Sequence, residues 1–199
     1  GNVLEVKEAI DILSGRAGGD LLEVSLTLGG YMLLLAEKAE TFEDGKDKMK
    51  AALESGAGLM KLKQMIAAQG GDPAVCDDVT RLPQARVTLS VTCGRSGYVQ
   101  EMDTMALGLA AQDMGAGRKK INDKLDYSAG FVLNVRIGDK VEPDTPLCTV
   151  YARNLIRAKR AVEAIRAAIT IGDEACGRAP NFIAIVTKNG IQRKYVEEE

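Results

Sequence analysis

The chain contains no histidine. Every mechanism that relies on an imidazole base, the Ser-His-Asp and Cys-His types included, is therefore closed to it when acting alone. Any chemistry would fall to carboxylates, lysines or a partner segment. An excess of either charge is also missing: 26 Lys and Arg stand against 28 Asp and Glu, a net charge of -2 over 199 residues. That balance gives no general attraction to phosphate backbones or anionic lipid, so nucleic acid is not an expected partner. Paired cysteine motifs are absent. Cys76, Cys93, Cys148 and Cys176 are widely spaced, which argues against a disulfide framework or a zinc site and leaves them as small core residues in a reducing cytoplasm. No apolar run is long enough for a membrane. The most apolar stretch, Leu21 to Ala36, holds Glu23 and Gly29-Gly30 and falls short of the roughly 20 residues that a bilayer demands. It reads as a buried helix. At the start of the chain, Glu5, Lys7, Glu8 and Asp11 break up any signal-peptide pattern.

What is present is a composition of 46% hydrophobic residues, ordinary for one large domain or two small ones with a real core. The sequence opens without Met, and Val3, Leu4, Val6, Ile10 and Leu13 already form a helical apolar stripe. That opening reads as a chain entered in the middle of a domain. Ser14-Gly15 stops the first helix, and Asp20 is expected to cap the second, over about Asp20 to Ala39. Its side chains are apolar on nearly every face, which predicts a place inside a helical packing. A third helix is expected from about Phe42 to Ser55 and a fourth from about Gly58 to Gln69, stopped by Gly70-Gly71.

Beyond Gly71 the period changes. Asp72-Pro73, Asp77-Asp78 and Leu82-Pro83 form a polar connection, and from Arg86 the apolar residues alternate. Strands are expected at Arg86 to Val91 and, across a glycine-containing turn, at Gly97 to Met102. A helix over Asp103 to Gln112 follows, then the basic, glycine-rich run Gly115 to Lys120. Further strands are expected at Ala129 to Val135, Lys140-Val141 and Leu147 to Tyr151, with an amphipathic helix from Asn154 to Ile169. Closing strands are placed near Phe182 to Val186 and Gln192 to Val196.

Gly138-Asp139 and Pro143-Asp144 are turn pairs that fold three short strands back on each other in a barrel-like sandwich. This phrase resembles the biotinyl and lipoyl carrier fold. A carrier presents a modifiable lysine at an exposed hairpin, whereas the matching region reads Tyr151-Ala152-Arg153-Asn154. The carrier is therefore the second functional reading, and a self-standing interaction module the third.

Taken together, Gly1-Asn2-Val3-Leu4-Glu5-Val6-Lys7-Glu8-Ala9-Ile10, Asp20-Leu21 with Leu26-Thr27-Leu28-Gly29, Gln69-Gly70-Gly71-Asp72, and Gly115-Ala116-Gly117-Arg118 to Gly130 resemble the pyrimidine-nucleoside and thymidine phosphorylase family. The resemblance implies an α+β fold. Residues 1–72 would be a helical segment, the end of the central glycosyltransferase-like α/β domain. Residues 73–85 would be a linker, and 86–199 an α/β-hammerhead, barrel-sandwich-like C-terminal domain. It further implies phosphorolysis of uridine, thymidine or deoxyuridine, with inorganic phosphate as co-substrate and no organic cofactor. The intact protein would be a cytoplasmic homodimer.

The family's phosphate-binding and base-binding residues precede the segment matched here, so the resemblance carries no catalytic or substrate-binding residue onto this chain. The fragment alone is expected to be inactive, its partner being the N-terminal part of the same protein. One residue does carry over: Glu8 falls on a glutamate that ligates a potassium ion in related enzymes. A carboxylate beside carbonyl oxygens suits such a hard cation; the plainer reading is a solvent-facing helix glutamate. Gly115 to Lys120 could cradle phosphate. It lacks the strand-to-helix setting of a P-loop, and a structural or domain-closing loop is the preferred reading.

Overall fold

The structure is a computed structural model and describes residues 2–178 and 180–193. It is a mixed α+β protein, as expected. Four helices come first: α1 (Asn2–Leu13), α2 (Asp20–Leu35), α3 (Phe42–Glu54) and α4 (Ala57–Ala68). Two 3-10 turns, Pro73–Cys76 and Val79–Arg81, lead into β1 (Val87–Thr92) and β2 (Gly97–Met102), followed by α5 (Thr104–Met114). Then come β3 (Gly130–Leu133), β4 (Lys140–Val141), β5 (Pro146–Ala152), α6 (Leu155–Ala167), β6 (Ile169–Gly172), β7 (Ala184–Thr187) and β8 (Gly190–Arg193). The expected strand over Gln192 to Val196 lies partly outside the described residues.

Close backbone approach joins α2 to α3. A Cβ added at Gly45 would sit 2.5 Å from the Gly30 carbonyl oxygen, so the two helices touch through glycines. Tyr31 and Phe42 stack beside them, ring centroids 4.4 Å apart. Thr41 caps α3, its hydroxyl accepting from the Asp44 amide at 3.1 Å.

Two expectations for α2 fail. Its cap is Gly19, at φ 83, with no side-chain bond; Asp20 is already the first helical residue and its carboxylate points elsewhere. Nor is the helix enclosed. Thr27, Gly29 and Gly30 are buried, but Leu28, Met32 and Leu35 are 56, 69 and 82% exposed. Leu21, Leu28, Met32 and Leu35 recur at helical spacing, so the exposure forms one stripe. The helix ends at Leu35, short of the expected Ala39, because Glu37 takes a left-handed backbone at φ 56.

The polar stretch after Gly71 is ordered. The Asp72 carboxylate accepts from the Ala74 amide at 3.0 Å and from Arg81 Nη2 at 2.7 Å. Lys63 reaches Asp77 at 2.6 Å, and Cys76 is buried against α4.

Two antiparallel sheets form the rest, in orders β1-β5-β3 and β4-β2-β6, with β7-β8 as a separate hairpin. The three strands around Gly138 and Pro143 do not stay in one sheet: β3 and β5 pair, while β4 crosses to β2. β1 and β2 do not pair with each other either. The expected turns are present. The Asp139 carboxylate accepts from the Arg136 amide at 2.7 Å, and Glu142 and Thr145 close the second turn through the Thr145 hydroxyl at 2.8 Å and the Thr145 amide at 2.9 Å.

The core lies between these sheets and the helices α5 and α6. Leu107, Ala110 and Met114 on α5, and Ala158, Ala161 and Ile165 on α6, recur at three or four residues and face Val91, Val99, Leu147, Cys148 and Val150. Asp103 and Asn154 start the two helices by accepting from the amides of Ala106 and Arg157. Cys93 is buried too. Burial pushes the Cys148 thiol up to about 12. Cys176 departs from the core reading: it is half-buried, and its thiol donates to the Val99 carbonyl at 3.3 Å.

Candidate functional site

Glu8 stands on the exposed face of α1, where the helix runs beside β3. It lines a cleft of about 520 Å³ with Lys7, Asp11, Leu133, Arg136 and Tyr151. α1 is anchored there by the Val3 amide, which donates to the Tyr127 carbonyl at 3.1 Å. The groove has charges of both signs. Among the described residues no group of three or more His, Cys, Asp or Glu side chains could hold a metal ion. Glu8 thus lies in the groove beside Asp11, outside any such group.

Beside Glu8 runs a polar clasp that the sequence did not suggest. Asp20 accepts from Arg178 Nη2 at 2.5 and 2.7 Å, from Arg136 Nε at 3.4 Å and from Asn181 Nδ2 at 3.3 Å. Asn181 also donates to Glu23 at 2.6 Å. The bond from Asn181, together with Arg178 and Arg136, holds the Asp20 carboxyl below the usual aspartate range. A residue expected to cap a helix thus ties the start of α2 to segments more than 110 residues away. Its local pattern, an acid after two glycines, reads as a cap; its partners come from distant turns.

The Gly115 to Lys120 run leaves the end of α5, where Gly115 is left-handed at φ 106. Four of its six amides are engaged, those of Gly115 and Ala116 by the Gln112 and Ala111 carbonyls. The Asp123 carboxylate accepts from the Lys119 and Lys120 amides at 3.0 and 2.9 Å, and the Gln112 side chain donates to the Arg118 carbonyl at 2.7 Å. Lys119 pairs with Asp113. A backbone cradle for phosphate is thereby filled by the chain's own carboxylate, which favours the structural reading of this loop. Across it, Arg157 Nη1 donates to the Met114 carbonyl at 2.9 Å. A Cβ at residue 115 would lie 2.8 Å from that same nitrogen, so glycine is required on both counts.

The carrier reading loses its hairpin. Tyr151-Ala152 end β5, and Asn154 caps α6, so a helix begins where a modified lysine would be displayed. No helix among the described residues is long and apolar enough to cross a membrane.

With this geometry in hand, comparison with known proteins gives the family. Residues 98–172, which run from β2 to β6, match the pyrimidine nucleoside phosphorylase C-terminal domain. Over 173 residues the chain is 43% identical to the pyrimidine-nucleoside phosphorylases of Staphylococcus aureus strains bovine RF122 / ET3-1 and USA300. The alignments cover 87% of this chain and 40% of each relative, so the chain spans well under half the length of the curated relatives it matches. On these grounds the chain belongs to the pyrimidine-nucleoside phosphorylase family and carries its C-terminal portion.

Proposed function

We propose that this chain is the C-terminal part of an enzyme that phosphorolyses pyrimidine nucleosides such as uridine, thymidine and deoxyuridine. An oxygen of inorganic phosphate bonds to the anomeric carbon of the sugar while the bond from that carbon to the base nitrogen breaks. The bonding electrons leave with the base, which takes up a proton. The products are the free pyrimidine and a pentose 1-phosphate. Such a reaction is accelerated by holding phosphate beside an oxocarbenium-like centre and by stabilising the departing base with cationic and hydrogen-bonding groups.

The observation that carries this reading is the 43% identity over 87% of the chain to proteins named for that activity. We assign no catalytic or substrate-binding residue here. The contribution of this chain is a scaffold: α1 and α2 fixed to loops of the C-terminal half through Val3, Asp20 and Glu23. A potassium ion at Glu8 would need further ligands from other segments of a longer protein. The apolar stripe of Leu21, Leu28, Met32 and Leu35 is the face on which we infer that the N-terminal part of such a protein packs. The intact enzyme is proposed as a cytoplasmic homodimer.

The test compares two polypeptides in phosphate buffer with uridine or thymidine, following release of the base by ultraviolet absorbance. This chain alone should show no turnover. Joined to the remaining length of a Staphylococcus aureus relative as one polypeptide, it should turn over. Release by the chain alone overturns the scaffold reading; a folded but inactive fusion overturns the activity. The same stripe on α2 also favours the reading of an interaction module, which sedimentation of the chain at rising concentration addresses: a monomer throughout would remove it.

A further inference from the structure

The cavity between the Gly115 to Lys124 loop and α6 has a volume of about 500 Å³. Its charged lining is Asp113, Lys119, Asp123, Lys124, Arg157 and Arg160. Both carboxylates are already engaged. Asp113 pairs with Lys119, and Asp123 accepts the two loop amides. Arg157 spends one N–H on a carbonyl oxygen. Among the described residues, Lys124, Arg157 and Arg160 meet no carboxylate.

A second cavity of about 380 Å³ adjoins it, sharing Lys124 and Arg157 and adding Arg86 and Arg153. Its one acid, Asp126, is turned to the amide and hydroxyl of Ser128 at 3.1 and 2.7 Å. Arg86 and Arg153 are likewise unmatched. Around the two joined hollows six Lys and Arg side chains therefore stand against three carboxylates, a positive surplus in a chain of net charge -2. Like charges held together raise the local potential and favour an anion between them. Guanidinium groups match phosphoryl oxygens in a two-bonded fork. The floor of the first cavity is Ala110, Met114, Ala161 and Ala164, which offers nothing to read a base.

We propose that the two joined cavities bind an oligophosphate group of at least two phosphoryl units, recognised by its charge through Lys124, Arg157, Arg160 and Arg153. The group could be a free inorganic oligophosphate or the tail of a nucleotide. The site stands on this chain's own residues and does not rest on the phosphorolysis reading.

The test titrates the full chain with pyrophosphate, tripolyphosphate, orthophosphate and ADP at fixed ionic strength, by calorimetry and backbone amide shifts. Pyrophosphate and tripolyphosphate should bind with submillimolar affinity, with orthophosphate weaker by about tenfold or more. Shifts should fall on residues 115–128 and the start of α6. The Lys124→Glu, Arg160→Glu double variant should lose affinity by about tenfold or more, because two attractive charges become repulsive. Lys50→Glu on α3 should leave it unchanged. ADP and pyrophosphate binding alike identifies the free oligophosphate as sufficient; ADP binding more tightly points to a nucleotide. No heat and no shifts at about 10 mM pyrophosphate overturn the proposal. So does a double variant that binds like the parent. Arg153→Ser, at the exposed rim, repeats the measurement should the double variant not fold.

Discussion

In residues 87–172 the large apolar side chains point at one another: Val91, Val99, Leu147, Val150 and Ile165 have almost no exposed surface. In α2, an equally apolar segment, Leu28, Met32 and Leu35 face outward in a row. The C-terminal half closes its core with two sheets and two helices of its own. α2 covers only one side, where glycines let α3 approach. Hydrophobicity in a sequence states that a segment calls for a partner; it does not state where that partner is. The first half buries few large side chains, Ile10 among them, and relies also on close backbone approach and surface ion pairs; the second is held by side-chain interlock.

Substitutions that strike one half should separate these two modes of support. The largest effect is expected in the closed core. Ile165→Ala leaves a void that neither α5 nor the sheets can collapse to fill, and should lower stability by about 3 kcal/mol. The urea midpoint followed by far-ultraviolet circular dichroism measures it. An unchanged midpoint would mean that the core is not the stabilising unit.

Gly45→Val comes next. The added carbons meet the Gly30 backbone, which has no rotamer to yield, and overpacking of that kind costs about 1–3 kcal/mol. Amide exchange should quicken in α2 and α3 and stay slow in α5, α6 and β5. Uniform quickening would show that the halves unfold together.

Met32→Lys with Leu35→Lys should barely move stability, by about 0.5 kcal/mol or less, since both side chains already stand in water. Sedimentation should instead report weaker self-association. A gain in association would place the contact face elsewhere.

Asp20→Asn should act most gently, and only through pH. The Asp20 carboxyl is held below its ordinary value in the folded chain, so its contribution is complete above about 3.9 and disappears as the pH falls through the lower native value. Solvent screens this exposed group, which keeps the effect small. The parent and variant should therefore converge at the acid end of a stability-against-pH series. Parallel curves would show that Asp20 carries no linked proton.

Much of the fold was legible where a single element decides its own form. The spacing of Ala158, Ala161 and Ile165, and the caps Asp103 and Asn154, mark α6 and α5 without knowledge of the rest. β6 drew no expectation: the helix before it was carried on to Ile169, the first residue of the strand, since Ala168-Ile169 continues the apolar period and no glycine or proline marks the change there. Sheet order was beyond reach. Pairing Val87 with Ala152, or Met102 with Ile169, joins residues more than sixty positions apart and leaves no local pattern. The candidate sites divide the same way. Glu8 entered through family likeness alone, and the cations around Arg157 come from three separate segments that only the folded chain brings together.

The unequal seating of the four cysteines gives the molecule a reporter of its own. Cys76, Cys93 and Cys148 are shut away from reagents, while Cys176 keeps part of its surface at the solvent edge, one hydrogen bond from β2. An alkylating probe should therefore mark Cys176 first. Its rate of labelling would report how firmly the hydrogen bond to Val99 seats Cys176 against β2, without any engineered tag.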